Sequence, residues 1–426
     1  MTPAARLQAT LDLLDAIAVT PRPTDSLVSA YFRARRYIGS KDRAAISTRL
    51  YAVLRHQARL DWWLTSTQMP PEPRPRLLIW TALGEKTPTA AINELCSGGK
   101  FAPAPLTDDE RDMLRKIEGR TLEHPAMPEE VLAECPPDCA AALHEKFGAN
   151  FLPEMRAMQE PATLDLRINT LKTTREAIIA ELAEMNFKAE LCPLSPWGVR
   201  LYDRPSLSNL SMLKDGRIEI QDEGSQLVAL ALNAKPGERV VDFCAGAGGK
   251  TLAIGAMMDN KGRISACDVM EGRLKKSAER FRRAGLHNIE IRVLSTERDP
   301  WVKKHKGGFD RVLVDAPCSG TGTWRRNPDA RWRSLGPGLE QLIPLQAEIL
   351  DSASRLVKPG GRLVYATCSL LQDENENQIE KFVAAHPDFS RAPCGIDGKD
   401  YLALTPAQHG TDGFFAAALV RTKPVE

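Results

Sequence analysis

Apolar side chains recur every three or four positions near the start of the chain: Leu7, Leu11, Leu14 and Ile17, then Ile46, Leu50, Val53 and Leu54. That spacing draws an apolar stripe along a helix, so residues 4–66 are expected to be helical. Two stretches rich in Gly and Pro, 97–107 (SGGKFAPAPLT) and 124–137 (HPAMPEEVLAECPP), break helices, and a domain boundary is expected between 140 and 160. The period then changes. Between 162 and 215 the strand-like runs LDLRIN, KAELCP and GVRLY surround one helical run, REAIIAELAEMN, which predicts a small α/β unit. From Gly216 onward buried-strand and helical runs alternate: ERVVDFCA, a helix from Lys250, RISACDV, a helix over 271–284, IEIRVL, FDRVLVDAP, a helix over 339–357, and GRLVYATCS. Strands alternating with helices predict a doubly wound parallel sheet.

Composition narrows the class. The 426 residues, 43% hydrophobic and 26% charged, can build two or three domains with a substantial core. A net charge of +2 excludes a strongly cationic nucleic-acid binder and leaves only local basic surface. Residues 1–60 carry ten Lys or Arg against four Asp, whereas residues 107–130 hold eight acids against four bases. Tyr31 to Arg59 interleaves aromatic and basic residues, which suits phosphate contacts with stacking and equally an amphipathic helix pair with a solvated basic face. The nine cysteines lie mostly in apolar runs, the habit of free thiols in a reducing compartment. Cys135 and Cys139 have no second pair at ligand spacing, so no metal is expected. No apolar run is long enough to span a bilayer, and the expectation is a cytoplasmic protein without a membrane partner.

The run Val240 to Thr251, VVDFCAGAGGKT, is a buried strand, a glycine turn and the opening of a helix, whose backbone N–H groups line a concave site. Asp268 closes the next strand about 20 residues after these glycines, where an acid accepts hydrogen bonds from ribose hydroxyls. Together they point to a nucleoside cofactor. The crowding of Gly246, Gly248 and Gly249 departs from the dinucleotide spacing.

Two further strand ends carry thiols. FDRVLVDAPCSGTG puts Asp315 and Cys318 just past one buried strand, and GRLVYATCS puts Cys368 past another, one crossover later. Ligands of open parallel sheets sit beyond those ends, so both thiols should face the cofactor cleft. A thiolate that adds to carbon 6 of cytosine makes carbon 5 nucleophilic enough to attack the methyl of a sulfonium. A carboxyl at Asp315 can hydrogen-bond the pyrimidine edge, and a second thiol can assist release. Position alone does not say which thiol attacks. Between them, TWRRNPDARWR interleaves arginines with two tryptophans; Arg325, Arg326 and Arg331 are expected on an RNA-facing lip, the other reading being Trp side chains packed inward.

DFCAGAGGKT, DAPCSGTG and ATCS together resemble the RNA (cytosine-5) methyltransferases of the RsmB and Sun family. The resemblance extends through Asp373-Glu374-Asn375-Glu376-Asn377 and the closing Asp412-Gly413-Phe414-Phe415, and covers residues 216–420. Upstream, Arg167-Ile168-Asn169-Thr170-Leu171-Lys172 is similar to the family's RRM-like domain, Gln221 to Gln226 to its lead into the catalytic fold, and residues 1–145 to a NusB-like helical RNA-binding domain. The resemblance implies a helical domain over 1–145, an RRM-like α/β domain over 146–215 and, over 216–426, a Rossmann-like S-adenosylmethionine-dependent methyltransferase fold. It implies Cys368 as nucleophile, Cys318 as the release-assisting thiol, and Asp315 between cofactor and base. Cys244, Ala245, Gly246, Ala247, Gly248, Gly249 and Lys250 would hold the methionine part of S-adenosylmethionine, and Asp268 its ribose. The chain departs from the family in having Gly246-Ala247 where Ala-Pro is usual, and Leu294-Ser295-Thr296 where an Asp commonly meets the adenine amino group. The expected function is methylation of ribosomal RNA of the small subunit by a monomer. The alternatives are a transfer-RNA methyltransferase of the same chemistry and a non-catalytic RNA-binding or antitermination factor.

Overall fold

The computed structural model describes residues 1–202 and 210–422; residues 203–209, within the domain expected over 146–215, and residues 423–426 lie outside the described residues. The chain divides into two compact units, Met1–Pro161 with Trp324–Gly336 and Ala162–Thr323 with Pro337–Glu426.

The first unit is helical. Helices Pro3–Ala18, Thr24–Ala34, Ser40–Arg55 and Gln57–Thr67 occupy the opening, and all the apolar positions named from the spacing are buried in one core with Leu60, Leu64, Leu77 and Leu114. The acidic stretch opens the helix Asp108–Ile117, where Thr107 and Glu110 cap each other's backbone N–H groups. This unit runs past the expected limit of 145. Arg156 donates to Glu123 and Gln159 to the Leu132 carbonyl, so the helix Phe151–Ala157 and the turn after it belong to the helical unit.

It also takes in Trp324–Gly336, which corrects the expected arginine lip. Arg325 and Arg331 are each 5% exposed, and Arg326 is half-buried. Arg331 lies over the buried Trp324 ring, 4.8 Å from guanidinium carbon to centroid, and burial pulls its pKa down to about 10 against the opposing pull of Glu134. Arg333 donates to the carbonyls of Thr20 and Arg22. In this arrangement the buried guanidinium groups of Arg325 and Arg331 face protein rather than solvent.

The second unit holds two sheets. The smaller has strands β1 (Leu164–Ile168), β2 (Ala189–Leu191), β3 (Gly198–Leu201) and β4 (Ile218–Ile220), all antiparallel, in the order β2-β3-β1-β4. With helix Arg175–Glu184 between β1 and β2, and the short helix Ser211–Lys214 before β4, this is the split βαβ arrangement of ferredoxin-like domains. Leu166, Ile168, Ile178, Leu182, Val199 and Ile218 form its core. Its last strand lies beyond the expected limit of 215. The motif around Asn169 fixes this sheet to the end of helix Glu271–Ala284: Asn169 Nδ2 donates to the Gly216 and Ala284 carbonyls, each at 2.9 Å, and Lys172 Nζ to those of Asp215 and Arg283, each at 2.7 Å. The Arg283 and Ala284 carbonyls are the open acceptors of the last turn of helix Glu271–Ala284, which a cation suits.

The larger sheet is built from β5 (Arg239–Asp242), β6 (Arg263–Asp268), β7 (Ile289–Val293), β8 (Phe309–Asp315), β9 (Val357–Thr367), β10 (Phe389–Ala392), β11 (Tyr401–Leu404) and β12 (Phe414–Arg421). Its order is β10-β12-β9-β8-β5-β6-β7, with β11 also on β12. Strands β5 to β9 are parallel, as the alternation predicts. The sheet is nevertheless mixed, because β12 runs antiparallel between β9 and β10. The chain proceeds outward from β5 to β7, then crosses back to β8 and β9 on the other side. The switch point between β5 and β8 opens a crevice beyond their carboxyl ends, where such folds bind ligands.

Candidate active site

Asp242 ends β5 at the switch point, and the turn after it is pinned from several sides. Phe243 N–H donates to the Leu313 carbonyl, Ala245 N–H to that of Cys267, and Gly248 N–H to that of Ala245, each at 2.8 Å. Gly246 and Gly248 have φ of +54° and +81°, which glycine adopts without strain. A Cβ on Gly248 would lie 2.6 Å from the Phe281 ring, so the turn and helix Glu271–Ala284 pack through the missing side chain. Around Gly246 there is open space.

The acids expected to bind a cofactor brace this turn. Asp268 accepts from Gly246 N–H at 2.8 Å through Oδ2 and from Met270 N–H at 2.7 Å through Oδ1. Lys250, in the first turn of helix Gly249–Met257, reaches Asp315 across the crevice, Nζ to Oδ2 2.7 Å. Burial pulls the Lys250 ammonium down, but the Asp315 carboxylate outweighs it and its pKa is raised. Asp242 carries a role the sequence reading missed. It is buried, takes the Thr251 hydroxyl on Oδ2 at 2.6 Å, and leaves Oδ1 with no hydrogen-bond partner among the described residues. Burial lifts its pKa to about 7, with Asp315 and Asp268 adding to the rise. Burial also pushes the Cys244 thiol up.

The two strand-end cysteines meet. Asp315 of β8 is in register with Ala366 of β9, and the turns beyond them bring Cys318 Sγ to 3.4 Å from Cys368 Sγ, both thiols free. The hydrogen bond with Cys368, then burial, then the charge of Glu374 hold the Cys318 thiol well above its ordinary pKa. Gly322 N–H donates to the Cys368 carbonyl at 2.9 Å, and Gly413 N–H to that of Gly322 at 2.8 Å. A Cβ on Gly322 would strike the Gly413 and Cys368 oxygens, which explains a Gly in each of these loops. Glu374, fully buried, underlies both cysteine turns through Ser319 and Ser369. The sequence contained this acid in a motif without a role, because nothing local says which of Asp373, Glu374 and Glu376 turns inward. After β7, Asp299 takes both the N–H and hydroxyl of Ser295 at 2.9 Å and caps Trp301, so these two side chains are occupied with each other.

A glycine turn after the first strand, an acid after the second and an open crevice at the switch point define the Rossmann-like methyltransferase class. The family model described as 16S rRNA methyltransferase RsmB/F matches residues 229–420, and that of the RsmF/B-like ferredoxin-like domain matches residues 140–207. The ribosomal RNA small subunit methyltransferase B of Sodalis glossinidius is 30% identical over 414 residues, 90% of this chain and 91% of that protein. The probable ribosomal RNA small subunit methyltransferase B of Synechocystis sp. is 40% identical over 271 residues, a match that spans 60% of that protein's length and 61% of this chain. The crystal structure of PH0851, 26% identical, superposes with a TM-score of 0.80 over 98% of this chain and 99% of its own. The chain belongs to the RsmB/F family of 16S rRNA methyltransferases.

Proposed function

We propose that this protein is an S-adenosylmethionine-dependent RNA (cytosine-5) methyltransferase acting on small-subunit ribosomal RNA. The observation that carries this reading is the pair of free thiols, 3.4 Å apart beyond β8 and β9, beside the Lys250–Asp315 pair. The names of the relatives support the ribosomal substrate.

The residues at the switch point fit the cofactor. Open space at Gly246, the buried Asp242 Oδ1, which has no hydrogen-bond partner among the described residues, and the carboxylate of Asp268 offer a shaped, acceptor-rich surface suited to an aminoacyl nucleoside with a positive sulfonium. The residues from Cys244 to Lys250 would hold its methionine part and Asp268 its ribose. S-adenosylmethionine bound there supplies an electrophilic methyl group.

The protein's own groups do the rest. The Cys368 thiolate bonds to carbon 6 of the cytosine, the carbon 5–carbon 6 double bond opens, and its electron pair makes carbon 5 the nucleophile. Asp315, held by Lys250, hydrogen-bonds the pyrimidine edge as charge moves onto the ring. After methylation the carbon 5 proton leaves to a base, the double bond re-forms and the Cys368 thiolate departs, with Cys318 close enough to donate or accept a proton.

Two substitutions test the assignment. Cys368→Ala is expected to abolish methyl transfer and covalent trapping on RNA carrying 5-fluorocytosine, while Cys318→Ala stalls turnover and retains the adduct. Swapped phenotypes would reverse the two roles, and wild-type protein without any adduct would remove the mechanism. Bisulfite sequencing of ribosomal and transfer RNA from a deletion strain identifies the substrate.

A further inference from the structure

The carboxyl group of Glu374 gathers hydrogen bonds from both cysteine turns. Oε1 takes the Ser319 N–H at 2.8 Å and Gln346 Nε2 at 2.9 Å; Oε2 takes the Ser319 and Ser369 hydroxyls. Two N–H groups and two hydroxyls therefore converge on one carboxyl group, and hydrogen bonds to a carboxylate are strong. Ser319 is the residue directly after Cys318, and Ser369 the one directly after Cys368. One side chain therefore grips the residue next to each thiol. Its surroundings hold it in turn: Tyr365 Oη donates to the Glu374 carbonyl at 2.7 Å, Gln346 also donates to the Pro317 carbonyl at 2.9 Å, and Asn375 Nδ2 donates to the Ser369 carbonyl at 2.9 Å.

Charged groups reach both thiols. Cys318 faces Cys368, the Glu374 charge and the buried Tyr365 hydroxyl. Cys368 faces Cys318 and lies within electrostatic reach of the Lys250 ammonium. An anion favours the protonated form of the thiol it reaches, and a cation favours the thiolate.

We propose that Glu374 is a positioning residue that clamps the Cys318 and Cys368 turns together and keeps the shared proton of the thiol pair on Cys318, leaving Cys368 to act as the thiolate. The proposal rests on the thiol chemistry proposed above and adds to it the device that makes the two sulfurs unequal. Fully buried, Glu374 acts through the two serines and through its charge.

The test separates clamp from charge by alkylating the RNA-free protein with iodoacetamide at neutral pH and locating the label by mass spectrometry. Wild-type protein is expected to label first at Cys368. Glu374→Gln, which removes the charge, is expected to shift label toward Cys318 and to lower kcat by about 10²-fold while KM for RNA stays unchanged. Glu374→Asp keeps the charge but is too short to span both serines, so kcat falls while label stays on Cys368. Should Glu374→Gln fail to fold, the double variant Ser319→Ala with Ser369→Ala removes both hydroxyl arms of the clamp and leaves the backbone N–H contact and the charge: a fall in kcat with label still on Cys368 supports the proposal. An unchanged label pattern in folded Glu374→Gln, or unchanged kcat in the double variant, overturns it. The labelling needs no RNA, so its failure is distinct from that of the proposed reaction, which is read from the 5-fluorocytosine adduct.

Discussion

Asp329 Oδ2 accepts hydrogen bonds from both the N–H and the hydroxyl of Thr24, at 3.1 and 2.8 Å, from a residue 305 positions earlier in the chain. The same oxygen pairs with Arg333 at 3.1 Å, and the carboxylate is 4% exposed. Asp329→Ala would leave the buried Thr24 donors without this acceptor, at a cost of about 1–3 kcal/mol. Chemical denaturation of the variant is expected to show that loss, whereas the salt dependence of RNA binding stays as in the wild type. A variant of unchanged stability but flattened salt dependence would return this loop to the RNA surface.

That contact marks the limit of what the sequence can reveal. The glycine turn and the two cysteine segments were legible because each is a strand, a turn and a reactive residue within a dozen positions, and the apolar stripe from Leu7 to Ile17 was legible because helices repeat. The inward packing of Arg331 was not, since its neighbour Glu134 lies far away in sequence and an arginine-rich loop looks the same solvated or buried. The direction of β12 was also hidden: Phe414 to Val420 is apolar throughout, which fits a buried strand of either sense. Glu374 sits among other acids, and only the fold distinguishes it.

Arg200 ties the small sheet to the start of helix Glu223–Ala231 by meeting two carboxylates at once. It lies 2.8 Å from Asp165 Oδ1 and 3.2 Å from Glu223 Oε2, both acids fully buried. Arg200→Met removes the only side-chain cation paired with this couple among the described residues and strands two like charges together. The expected destabilisation is about 3–5 kcal/mol. It should be smaller at acidic pH, where Glu223, whose pKa burial raises, takes up a proton; equal loss at pH values on either side of the carboxylate range would contradict an electrostatic origin.

Asp242 predicts a pH dependence with a definite sign. Its pKa rises from 3.8 to about 7 on folding, so between those values the folded state holds a proton that the unfolded state has released. Stability from this group is fully present below pH 3.8 and is lost as pH rises to about 7. The total is on the order of 4 kcal/mol at most. Asp242→Asn, which cannot ionise, is expected to flatten this part of the stability profile, measured as Tm against pH. A slope identical to that of the wild type would mean that Asp242 stays charged in its pocket, compensated by Lys250.

Two neighbouring glycines should respond differently to the same substitution. Gly246 and Gly248 both have positive φ, so alanine costs roughly 1 kcal/mol of backbone strain at either position. Only at Gly248 does the new methyl also meet a wall, with the Phe281 ring 2.6 Å away and Ser277 Cβ at 2.9 Å. Overpacking of this kind adds about 1–3 kcal/mol and forces the turn away from helix Glu271–Ala284. Gly248→Ala is therefore expected to lower Tm clearly and to weaken S-adenosylmethionine binding by displacing the turn. Gly246→Ala should fold nearly as well as the wild type, because its methyl enters open space, yet still lose affinity if that space receives the cofactor. Calorimetric titration of both variants with S-adenosylmethionine decides the matter: full affinity in a folded Gly246→Ala protein would place the ligand elsewhere in the crevice, toward Asp315 and the thiol pair.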